Sequence, residues 1–133
     1  MPRQRLDDVH VSERAQQRMT RFYARTVEEV RQAVDHNPVV VVGMAWNKYV
    51  RRARRTLTRE RIPHLYLEYG NYLFGWYRRL AIKLWSGWPT FPQVFVGGVL
   101  IGGAYELNQG LHDGSIRALL ESVITSPDTY ESV

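Results

Sequence analysis

Trp88-Pro89-Thr90-Phe91-Pro92-Gln93-Val94-Phe95-Val96-Gly97-Gly98-Val99-Leu100-Ile101-Gly102-Gly103 is the stretch that decides the fold. Proline has no backbone N–H, so Pro92 can open the Val94-Phe95-Val96 strand but cannot sit inside a central one. Cis peptides concentrate at X-Pro bonds, and Pro92, in a tight approach to a strand, is expected in cis. Gly97 and Gly98 both tolerate positive φ, which a two-residue hairpin turn demands, so Val99-Leu100-Ile101 reads as the returning strand. Gly102-Gly103 ends it. A helix then starts at Ala104-Tyr105-Glu106-Leu107, and the backbone N–H groups around Gly103, Ala104 and Tyr105 form an anion-friendly helix terminus.

Working outward, Val39-Val40-Val41-Val42 is a β-branched run of the kind buried on both faces of a central strand. Thr26-Val27-Glu28-Glu29 has capping-box spacing, and Val27, Val30, Ala33 and Val34 share a face, which predicts a helix over about residues 27–36, stopped by Asn37-Pro38. Asn47 precedes a helix whose apolar stripe reads Tyr49, Val50, Ala53 and Leu57 and which ends before Pro63. His64-Leu65-Tyr66-Leu67-Glu68 alternates like a second strand. Residues 71–85 read as a third long helix and 115–124 as the last. Residues 1–25 form an N-terminal extension with a short amphipathic helix at 12–23, residues 26–125 the domain, and 126–133 a C-terminal tail.

At 133 residues and 44% apolar content, the chain suits one domain with a real core. Its longest apolar run, residues 38–44, is too short to span a bilayer, and Pro2-Arg3-Gln4-Arg5 is not followed by a secretory stretch. No membrane partner and a cytoplasmic location are expected. The absence of cysteine excludes disulfides and thiolate ligation of zinc or an iron–sulfur cluster by this chain. His10, His36, His64 and His112 show no ligand spacing, so no metal site is expected.

The net charge is +5, and Lys48, Arg51, Arg52, Arg54, Arg55, Arg59 and Arg61 crowd one helix against the single acid Glu60. Such a stripe suits phosphates, an acidic protein surface or plain solvation. Without base-reading motifs or aromatic residues interleaved among the arginines, nucleic acid is not the expected partner.

The segment Ile82-Lys83-Leu84-Trp85-Ser86-Gly87-Trp88-Pro89-Thr90-Phe91-Pro92-Gln93, together with Ile101-Gly102-Gly103 and the element order, resembles the glutaredoxins, most of all their single-cysteine, iron–sulfur-associated class. The likeness covers roughly residues 27–124. It implies an α/β, thioredoxin/glutaredoxin-like fold, with a central mixed four-stranded sheet flanked by helices and, here, an extra N-terminal helix. It also implies a glutathione groove.

Departures from that pattern bear on function. The resemblance puts Asn47 where the nucleophilic cysteine stands and Val50 where a second cysteine or serine would lie. Met44 falls where the family has a lysine for a glutathione carboxylate, and Tyr105 where an aspartate meets the γ-glutamyl amine. Arg79 matches an arginine that holds the other end of the tripeptide. The backbone at Phe91-Pro92 and the Gly103-Ala104-Tyr105 terminus remain in place. Each position also has a structural reading. Asn47 is either a helix N-cap or an amide aimed at a bound thiolate. Arg79 is either a ligand contact or a solvated helix residue, and Trp46, Trp76, Trp85 and Trp88 are read as packing.

The sequence thus reads as a cysteine-free glutaredoxin-like protein without thiol–disulfide oxidoreductase activity, acting as a binding or protein-interaction module. The candidate ligand-binding residues are Asn47, Tyr49, Arg79, Phe91, Pro92, Gly103, Ala104 and Tyr105, with no catalytic residue. The expected partner is a protein or peptide pairing along residues 91–93, with glutathione a weak ligand and no cofactor. Two other readings stand beside this one. One is a transferase-like enzyme in which Asn47 and Tyr49 orient the thiolate of glutathione. The other is non-specific nucleic-acid binding through the basic helix between Arg51 and Arg61.

Overall fold

The valine run forms β1 (Val39–Gly43), and every residue in it is buried. In the computed structural model, which describes residues 4–124, β1 lies inside a four-stranded sheet. It pairs in parallel with β2 (Leu65–Glu68), Val41 facing Tyr66, and antiparallel with β3 (Gln93–Val96), Val41 facing Val94. β3 turns through Gly97 and Gly98, at φ of 57° and 80°, into antiparallel β4 (Val99–Gly102). The strand order is β2-β1-β3-β4. The expected tail at 126–133 lies outside the described residues.

Strand side chains alternate between faces, and β1 divides the core accordingly. Val40 and Val42 pack with Val30 and Val34 of α2 (Ala24–His36) and Ile82 of α4 (Trp76–Ser86). Val39 and Val41 pack with Ala53 and Leu57 of α3 (Lys48–Arg59), Leu107 of α5 (Ala104–His112) and Ile116 of α6 (Ser115–Ile124). Before this sandwich comes α1 (Glu13–Arg21), capped by Ser12 Oγ and burying no residue. The architecture matches the expectation: a mixed four-stranded sheet, helices on both faces and an extra N-terminal helix.

Three local readings are corrected. First, α2 begins at Ala24, after Tyr23 in the left-handed region, so Thr26 is buried inside the helix and no capping box forms. Glu29, the supposed second half of the box, accepts a hydrogen bond from the Tyr69 hydroxyl. Second, Tyr49 is exposed, and Thr56 joins Val50, Ala53 and Leu57 on the buried face of α3. Third, residues 71–75 are a loop and α4 starts at Trp76. Asn71 Oδ1 accepts from the Leu73 and Phe74 amides at 2.8 and 2.9 Å, a side-chain turn that competes with helix formation.

Candidate functional site

Three backbone features converge at one end of the sheet. The first is the start of α3. Asn47 is its N-cap: Oδ1 accepts from the Tyr49 and Val50 amides at 2.9 and 3.0 Å. Two of the donors that an uncapped helix leaves free are thereby satisfied. Asn47 Nδ2 donates to the Tyr72 hydroxyl at 3.3 Å. Of the two readings of Asn47, the structure displays the cap.

The second feature is the entry to β3. The Phe91–Pro92 peptide is cis, as expected. The β1–β3 ladder runs out at Val42 opposite Gln93, and among the described residues no turn or loop hydrogen bond engages the Phe91 backbone. The Phe91 ring shares a buried cluster with Met44 and Val50, which ties this segment to the first turn of α3.

The third is the start of α5. Gly103 N–H donates to Glu106 Oε1 at 2.9 Å, and the Gly103 carbonyl accepts from Leu107 N–H. A Cβ on Gly103 would lie 3.5 Å from the Pro92 carbonyl oxygen, so α5 abuts the cis proline. Ala104 is buried and Tyr105 exposed. The Gly103 N–H is capped by Glu106, and the first-turn amides beyond it carry the partial positive charge that a helix start offers an anion.

Arg79 is placed differently from the other candidates. It is only 8% exposed, and Nη1 donates to the carbonyls of Tyr69 and Phe74, both at 2.9 Å. One guanidinium nitrogen is thus committed to bracing the 69–75 loop. Burial pushes the arginine's pKa below its ordinary value. Sequence reasoning missed this use because a carbonyl cradle is invisible in residue pattern.

Two further residues at the site escaped the sequence reading. Tyr72 touches Asn47, but it lies in the loop before α4, where the apolar pattern of residues 71–85 predicts helix. Lys83, noted only as part of the family pattern, places its ammonium 5.7 Å from the centre of the Phe91 ring. Met44 is buried with the core, so the position of the missing lysine is filled by apolar packing. Beneath the site, Trp88 Nε1 and Gln93 Oε1 are buried without a hydrogen-bond partner among the described residues, while Gln93 Nε2 donates to the Trp88 carbonyl at 3.0 Å. Among the described residues no group of three or more histidines and carboxylates is placed to hold a metal. A cluster held by a protein thiolate has no ligand in a chain without cysteine.

A mixed β2-β1-β3-β4 sheet with a cis proline opening β3 beside two helix N-termini defines a thioredoxin-fold protein of the glutaredoxin class. Comparison with known proteins agrees. A glutaredoxin-like protein of Dictyostelium discoideum is 41% identical over 95 residues, which span 71% of this chain and 77% of that protein. The reduced glutaredoxin C1 of Populus tremula x tremuloides shares the fold at a TM-score of 0.70 and 21% identity, over 87% of this chain and 99% of that one. A buckwheat glutaredoxin–glutathione complex superposes at a TM-score of 0.65 and 25% identity, over 74% and 90% of the two chains. No family model matches. The chain belongs to the glutaredoxin family.

Proposed function

We propose that this chain is a cysteine-free binding module of the glutaredoxin family, using the groove between α3, Phe91-Pro92 and the start of α5 to hold a ligand without thiol–disulfide exchange. Asn47 carries the reading. Exchange needs a thiolate, and at the position the resemblance gives to that thiolate stands an amide whose oxygen is spent on its own helix. The open backbone at Phe91 suits an extended protein segment adding as a short strand.

Glutathione, which the buckwheat relative holds in its complex, is on this reading a weak ligand of the same groove. The lysine and aspartate positions carry Met44 and Tyr105. Each lost charge-assisted contact is worth roughly 1.5–3 kcal/mol, so binding weakens by about two orders of magnitude or more. Two measurements test the proposal. In a glutathione-coupled disulfide-reduction assay the chain performs no better than buffer; clear turnover refutes the redox-inactive reading. In a nuclear magnetic resonance titration, reduced glutathione shifts the Phe91 and Gly103 amides only at high concentration. Tight binding there would favour the glutathione-using enzyme over the interaction module.

A further inference from the structure

The loop that the sequence disguised as helix exposes an unusual set of side chains. Tyr72, Leu73, Phe74 and Trp76 are 63%, 71%, 69% and 60% exposed. Three consecutive large apolar residues bared to this degree describe a protruding tip, and exposed apolar patches of this kind mark interaction sites. The tip is held out by construction. Asn71 Oδ1 and N–H, with Arg79 Nη1, fix the backbone from Tyr69 to Phe74. Gly70 and Gly75 close the loop at φ of 70° and 81°. A Cβ on Gly70 would come within 2.2 Å of the Phe74 carbonyl oxygen, so the turn requires glycine there. Along α4 the apolar surface continues at i, i+4 and i+8 through Trp76, Leu80 and Leu84.

Charge decides what covers this tip. No Asp or Glu occurs between Asp35 and Glu60, nor between Glu68 and Glu106, so α3, the loop and α4 contain no carboxylate. Lys48, Arg51, Arg52, Arg55 and Arg59 fall on one exposed stripe of α3, and none is paired with a carboxylate among the described residues. The Asn47–Tyr72 hydrogen bond fastens the basic end of α3 to the loop. Lys48 and Arg52 lie 5.2 and 5.6 Å from the exposed Tyr49 ring, so an aromatic side chain sits among the cations at the start of α3. A second copy of the chain would bring like charges together, and a free phosphate would leave the apolar tip uncovered.

We propose that the 70–75 loop, the start of α4 at Trp76 and the first turns of α3 form a docking face for an anionic lipid surface. Leu73 and Phe74 enter the acyl boundary, Tyr72 and Trp76 sit at headgroup level, and the lysine and arginines of α3 meet lipid phosphates and carboxylates. This requires no spanning segment, and no helix among the described residues is long and apolar enough to cross a membrane. The face adjoins the proposed groove at Asn47 and Tyr72 but does not rest on that reading, and the two are tested separately: vesicle binding with the Leu73/Phe74 variant reports on the loop and glutathione titration on the groove.

The test is co-sedimentation of the full chain with vesicles of phosphatidylcholine alone and of phosphatidylcholine with phosphatidylserine. The chain pellets with the anionic vesicles and not with the neutral ones. Leu73→Ser with Phe74→Ser lowers the partition by about tenfold or more, because two exposed apolar side chains no longer enter the bilayer. Arg51→Gln with Arg52→Gln lowers it by about fivefold per charge and flattens its salt dependence. Both pairs are at exposed positions, and circular dichroism melting curves matching the parent chain establish that they fold. Failure to bind anionic vesicles overturns the proposal and leaves the face to an acidic protein partner. Binding that survives the Leu73/Phe74 substitution also overturns it, by showing only the general attraction of a basic chain.

Discussion

Replacing Arg79 with methionine separates the two roles available to this residue. As a ligand contact it would affect glutathione binding and leave the fold alone; as a brace it would affect the fold first. The Phe74 carbonyl keeps a second donor, the Asn71 amide, when the guanidinium is removed. The Tyr69 carbonyl, in a buried bond to Arg79, loses its charged partner. A hydrogen bond to a charged group is worth about 1.5–3 kcal/mol, and a stranded buried acceptor costs a similar amount. Burial already disfavours the charged guanidinium, so its removal returns part of that cost and the lower half of the range applies, about 2 kcal/mol. For a domain of this size each kcal/mol moves the melting temperature by roughly 3–5 °C, so Arg79→Met melts about 6–10 °C lower. The assay is thermal unfolding by circular dichroism, with amide exchange at Leu73 and Phe74 as the local readout. Arg79→Lys recovers part of the loss, because an ammonium reaches one carbonyl but lacks the planar fork. An unchanged melting temperature, with glutathione binding lost, would refute the brace.

Three further outcomes follow from the same geometry. Asn47→Ala removes acceptors for two amides and lowers stability by about 1–2 kcal/mol, while Asn47→Asp regains most of it in chemical denaturation; failure of aspartate to rescue would show that the cap is not the operative role. Burial, then the hydrogen bond to Glu29, raises the Tyr69 pKa, so folding keeps its proton and stability falls as pH rises above the unfolded tyrosine value of about 10. Tyr69→Phe flattens that alkaline slope by up to ~1.4 kcal/mol per pH unit in denaturant titrations, and an unaltered slope would exclude Tyr69 as its source. Asn47→Cys installs a thiol at the start of α3 beside Lys48, and its reaction with a thiol reagent as a function of pH gives a pKa below the free-cysteine value of about 8.5; an ordinary titration would show that the site is misaligned.

What the sequence made legible were features whose cause is local. Four valines in a row fit little but a buried strand, Gly97-Gly98 supplies the positive φ of the hairpin, and Asn47 before a helical pattern is a cap. The misreadings arose where tertiary contacts outbid local preference. Thr26-x-x-Glu29 has capping spacing, but Tyr69 takes Glu29 and the helix gains a turn toward Tyr23. Tyr72-Leu73-Phe74 continues an apolar pattern, but Gly70, Asn71 and Gly75 bend it into a loop. The Gly70-Asn71 pair was the signal available, since both residues favour turns. No pattern announces the interior use of Arg79, because its two acceptors are carbonyls that any sequence provides.

The physical chemistry at the start of α3 connects the residue at position 47 to the fold around it. An uncapped helix start leaves amide donors pointing outward, and a glutaredoxin thiolate draws on that polarity to stay ionised. Here the same donors meet Asn47 Oδ1, a neutral acceptor in the chain itself. A permanent cap contributes about 1 kcal/mol to folding, whereas a thiolate gives comparable stabilisation only above its own pKa. Met44 repeats the exchange in the core, where buried apolar packing occupies the position that the resemblance assigns to a ligand-binding lysine. At position 47 a satisfied polar cap and at position 44 apolar burial both contribute to folding. The segment that the proposed groove would use is held independently of that cap, because Phe91 shares a buried cluster with Met44 and Val50 and Gly103 abuts the cis Pro92.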